Sequence, residues 1–196
     1  MQAEPDCAIA YWGIAMSRLG RPVAGSRAID DLDAGRVALR TAAHAATADP
    51  RERAYVDALT VLFGEDDAHW ADHAVAYETA MAALAARYPD DKEAVIFYAL
   101  ALNIAASPAD KTFQNQTKAA ELLLVALSEQ PRHPGLAHYL TYCLHLLPTK
   151  GVADSPSLSA YRTVSVVQSG LAVLALIGVS VFFFAVLPRW FRVRSV

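Results

Sequence analysis

The sequence predicts an all-α chain, an α-solenoid of antiparallel helix pairs followed by a single transmembrane helix. Three observations lead there. Prolines at 5, 50, 89 and 131 each precede a similar apolar, tyrosine-containing stretch, at spacings of 45, 39 and 42 residues. A helical period of this length is the mark of stacked helix pairs. Ahead of the C-terminal apolar run, no stretch alternates apolar and polar residues with β-branched enrichment. Alanine, which favours helix and close helix approach, is abundant. Finally, 24 consecutive residues, Val164 to Leu187, carry no charged side chain. At about 1.5 Å rise per residue such a helix is roughly 36 Å long, enough to cross a hydrocarbon core of about 30 Å with some tilt.

Seven helices are expected ahead of that run, over about 7–19, 29–47, 50–63, 67–88, 91–106, 113–129 and 134–147. The third opens on Asp49-Pro50-Arg51-Glu52, with a capping acid, a proline at the first helical position and a glutamate at the third. Behind it Ala54, Tyr55, Ala58, Leu59, Leu62 and Phe63 share one face. In the fourth, Ala74, Tyr77, Met81, Leu84 and Tyr88 step by three and four residues, an amphipathic stripe. The fifth repeats the acid-x-x-Glu box over Asp90 to Glu93. The sixth offers Ala120, Leu123, Leu124 and Leu127. Each proline falls between one helix end and the next start, where its missing N–H is harmless. Paired antiparallel, these helices make three hairpins and one unpaired helix. Residues 1–147 form the repeat domain. The Pro, Ser, Gly and Asp content of 148–163 reads as a linker, 164–187 as the membrane span and 188–196 as a basic tail.

The segments AYWGIAMS (10–17), RERAYVDAL (51–59), YPDDKEAVIFYALAL (88–102), DKTFQNQTKAAELL (110–123) and HPGLAHYL (133–140) together resemble a family of bacterial tetratricopeptide-repeat (TPR) proteins. The resemblance spans about residues 3 to 140. It implies a right-handed superhelix of hairpins that binds a protein or peptide partner in its groove. Family members are usually longer, often exported, and carry a helix before the segment matching PDCAIAYWG and further repeats after HPGLAHYL. In the family a second histidine and an acid tend to follow the HYL segment, where this chain reads Thr141-Tyr142-Cys143-Leu144. The repeats here also exceed the usual length of about 34 residues. The expectation is a short, membrane-anchored form. A truncated remnant of a longer exported protein is the alternative.

Composition narrows the function classes. Without the span and its three tail arginines, the chain has 14 basic and 20 acidic residues, formally −6. That balance argues against nucleic acid, whose phosphates need a basic face. The two cysteines, Cys7 and Cys143, are far apart in sequence, form no CxxC and read as apolar thiols. The N-terminus MQAEPDCAIAYWG shows no basic segment followed by an apolar one, so no signal peptide is read there.

No catalytic, cofactor or metal residue is assigned. His69 and His73, at i and i+4, share a helix face near Asp66, Asp67 and Asp72. The glutamate of an HExxH motif is replaced by Trp70, so a weak metal-dependent hydrolase is only the alternative reading. His133 precedes a proline and is expected to cap the following helix. His138 lies on that helix beside Tyr139, in a structural role or as a groove contact. Asn103 is polar within AVIFYALALNIAA. Groove contacts on a solenoid come from the first helix of each pair, so Asn103 is a second groove candidate.

The expected role is a non-catalytic protein-interaction scaffold held by lipid contact through its C-terminal helix. The span ends at Val164 and Leu187, with the interface aromatics Trp190 and Phe191 beyond. Arg189, Arg192 and Arg194 sit closer to the membrane edge than Lys150 and Arg162, which favours a cytoplasmic tail and an extracytoplasmic repeat domain. The N-terminus as read favours the opposite, tail-anchored arrangement.

Overall fold

Alternating caps and apolar stripes produce seven α-helices among the described residues. The computed structural model describes residues 7–19, 32–45, 49–64 and 69–146. Among these, α1 is Ala8–Met16, α2 Leu32–His44, α3 Pro50–Phe63, α4 Trp70–Arg87, α5 Lys92–Ala105, α6 Gln114–Glu129 and α7 Leu136–Leu146. The all-α expectation stands, and each predicted helix is present within a few residues of its expected ends. The linker 148–163, the span Val164 to Leu187 and the tail 188–196 lie outside the described residues. Among the described residues no helix is long and apolar enough to cross a membrane.

The helix starts follow local chemistry. Asp49 accepts from the Arg51 backbone N–H at 2.8 Å with Pro50 at the first helical position, opening α3 as the sequence suggests. At α5 the cap is one residue later than the acid-x-x-Glu reading placed it. Asp91, not Asp90, accepts from the Glu93 backbone N–H at 3.2 Å. α6 is entered through Phe113 at φ 55, a left-handed backbone uncommon for a side chain of this size.

Each helix packs against its predecessor in sequence, so the order runs α1, α2, α3 and onward as a stack of hairpins. The antiparallel pair α2 and α3 is tied at both ends. Arg36 Nε of α2 donates to the Phe63 and Gly64 carbonyls at 3.1 and 2.7 Å, and Arg53 of α3 donates to the Ala43 carbonyl at 2.7 Å. Each helix thus sends a guanidinium onto the other's C-terminal carbonyls, where cations are favoured. Gly35 permits this approach. A side chain there would overlap the Phe63 ring.

The odd-numbered helices also touch one another. α1 packs on α3, and α7 on α5. Trp12 of α1, Tyr55 of α3 and Phe97 of α5 meet edge to face. Trp12 lies 5.4 Å from Tyr55 and 4.9 Å from Phe97, centroid to centroid. Such geometry suits the ring quadrupoles. α5 is the most enclosed helix, with eight residues from Ala94 to Ile104 buried. The stripes predicted for α3 and α4 face the core through Tyr55, Leu59, Leu62, Phe63, Tyr77, Met81 and Leu84.

Candidate docking surface

The predicted candidate residues do not converge on one place. Asn103 is 1% exposed, so it is not a groove contact. Its Nδ2 donates to Cys143 Sγ at 2.7 Å across the α5–α7 junction, and its Oδ1 is buried without a partner among the described residues. The sequence concealed this because α5 is apolar on every side and leaves no polar face to orient the amide. Burial pushes the Cys143 thiol up to about 11, against the lowering effect of the Asn103 N–H. Cys7 and Cys143 are both free thiols.

His138 is exposed on α7, its ring 6.1 Å from that of Tyr139. His133 does what a cap residue would, by a route the sequence did not spell out. Its Nδ1 accepts from the Gly135 N–H at 3.2 Å, and its Nε2 lies 3.0 Å from Glu93 Oε1. An acceptor at Nδ1 puts the proton on Nε2, which donates to Glu93. One ring therefore closes the turn into α7 and ties it to the first turn of α5.

The residues of the metal alternative form no three-ligand group among the described residues. His69 is exposed at the start of α4, whereas the His73 ring packs so closely on Gly64 that a side chain at Gly64 would overlap it. Gly64 also has φ 41, so the α3 terminus needs glycine for both reasons. No group of three His, Cys, Asp or Glu residues suited to a metal occurs among the described residues. Asp66 and Asp67 lie outside them.

Two open clefts among the described residues bear on docking. The smaller, about 220 Å³, lies between α2 and α3 over Leu39 and Phe63, with Arg36 and Arg40 at its rim. The larger, about 280 Å³, runs between α5 and α6. Pro89, Val95, Leu122, Val125 and Ala126 provide its apolar lining. Its rims are charged. Lys92 pairs with Glu129 at 2.6 Å at one end, and Lys118 stands at the other, donating to the Tyr98 hydroxyl and lying 5.1 Å from that ring's centroid. These partners hold both ammonium groups above the usual lysine range. Val125 is 60% exposed, the most exposed of the large apolar side chains described. Sequence reasoning looked for the partner surface on the first helix of each pair. The larger cleft is instead lined mostly by α6. The signal for it was present as Lys118, Leu122, Val125 and Glu129, which step by four, three and four residues.

No protein-family model, no curated protein and no solved structure matches this chain.

Proposed function

We propose that this chain is a membrane-anchored, TPR-like protein-interaction scaffold that performs no chemistry of its own. The observation that carries this reading is the α5–α6 cleft, an apolar trough with charges at both ends and an outward-facing Val125. Apolar surface rimmed by polar groups is typical of protein docking sites, and clefts between packed helices accept an amphipathic helix. The helical stack supports the reading by holding both walls rigidly. α5 is buried on nearly every side, and α6 packs on it and on α7. The anchor rests on the uncharged run Val164 to Leu187 and its flanking aromatics and arginines. The arginine-rich tail favours an extracytoplasmic repeat domain.

A photoreactive residue at position 125 of the full chain, in native membranes, tests the docking role. Protein cross-links at 125 and none at the exposed control position 57 are the expected result. Cross-links at neither position remove the proposal. Carbonate extraction tests the anchor separately: the chain stays in the pellet if the span is embedded.

A further inference from the structure

We infer that the α5–α6 cleft takes the α6 helix of a second copy of this chain, antiparallel, in a two-fold dimer. The inference rests on the docking reading above and names the occupant. Four side chains form one stripe on the open side of α6: Lys118, Leu122, Val125 and Glu129, with exposed or half-exposed positions throughout. Their spacing is that of a coiled-coil seam. The stripe is about 16 Å long, charged at both ends and apolar between, with a cation at the N-terminal end and an anion at the C-terminal end.

That order makes the stripe complementary to itself. Turned end for end, Lys118 of one copy falls opposite Glu129 of the other, and Leu122 falls opposite Val125. The two-fold axis repeats both matches, as a closed symmetric interface requires. A parallel arrangement would instead set Lys118 against Lys118 and Glu129 against Glu129, which charge forbids. Val95 of α5 lines the same trough and backs the apolar middle. The existing bonds of the end groups do not compete. An ammonium has three donors and Lys118 uses one on Tyr98. A carboxylate accepts several and Glu129 accepts from Lys92. Dimerisation would extend each end to Lys92, Glu129 and the Lys118 of the second copy, a network rather than an isolated surface pair.

The test uses the full chain in nonionic detergent, with mass read by light scattering from about 0.1 to 100 μM, alongside Val125→Glu, Lys118→Glu and Lys118→Glu/Glu129→Lys. Dimers are expected for the native chain. Val125→Glu should weaken association by about a hundredfold and Lys118→Glu by about tenfold, and the double exchange should restore most of the loss. All three substituted side chains are exposed, and far-ultraviolet circular dichroism confirms that each variant is folded. A native chain monomeric throughout, a Val125→Glu variant that still dimerises, or a double exchange that restores nothing overturns the proposal. The docking reading fails separately. A monomeric chain that still captures a different protein at position 125 in native membranes loses the second copy and keeps the docking role. One that captures none loses both.

Discussion

The first turn of α5 holds both neighbouring repeats, with different chemistry in each direction. Backward, Asp91 accepts from the Tyr55 hydroxyl and from Arg51, each at 2.9 Å, while also capping α5. Forward, Glu93 accepts from His133 at 3.0 Å, and farther along the helix Asn103 meets Cys143. The backward junction stacks three duties on one nearly buried carboxylate, 8% exposed. The forward junction divides its work between a half-exposed acid and a buried amide that has one oxygen left over. Concentrated bonding makes a junction strong and brittle. Divided bonding makes it weaker and more forgiving.

Four perturbations sharpen that contrast. Asp91→Ala should be the most damaging, at about 3 kcal/mol by chemical denaturation, because it removes a helix cap and strands the Tyr55 hydroxyl. In a Tyr55→Phe background the same substitution should cost about 1 kcal/mol less. Equal costs in both backgrounds would show that the phenol and the carboxylate are not coupled.

Alkali should act next, and through both junctions. The buried Cys143 thiol, raised from 9.0 to about 11, keeps its proton in the folded state after the unfolded chain has lost it. Stability is therefore intact below pH 9 and falls as pH climbs to 11, by about 2 kcal/mol. Burial also raises the phenols of Tyr55 and Tyr77, which adds to the loss above about pH 10. In Cys143→Ala the decline should begin about one pH unit later. An unchanged onset in melting curves would remove the thiol from the explanation.

His133→Ala should cost about 1 kcal/mol, confined to the forward side. Hydrogen exchange should quicken in α7 and leave α3 unchanged. Equal quickening in both would mean that the junctions are not separable. The smallest effect carries the opposite sign. Asn103→Leu removes the stranded oxygen and should stabilise the fold by up to about 1 kcal/mol. A loss of similar size would reveal a partner for Oδ1.

The contrast also explains what was legible in advance. Caps, stripes and punctuating prolines are local signals, so the α3 start at Asp49 and the α4 core residues Tyr77, Met81 and Leu84 could be read from sequence. The α5 cap was misplaced by one because Asp90 and Asp91 are adjacent acids and only backbone geometry chooses between them. The inter-repeat pairs Arg51 with Asp91, Glu93 with His133 and Asn103 with Cys143 each span 40 residues. That separation follows the repeat, yet a period says which turns align and not which atoms bond. The cleft escaped notice because its stripe on α6 mixes two charges with two aliphatics and so resembles an ordinary solvated face.

The Trp12 ring reaches Phe97, two repeats' worth of chain away, as well as Tyr55 of the intervening α3. Linear arrays whose units touch only adjoining units can unzip from an end, each lost unit leaving the remainder intact. Here, peeling off the N-terminal helix would wet an aromatic ring in the middle of the array. Deletion of α1 should therefore not yield a shorter stable rod, and heating should melt α1 through α5 in one step.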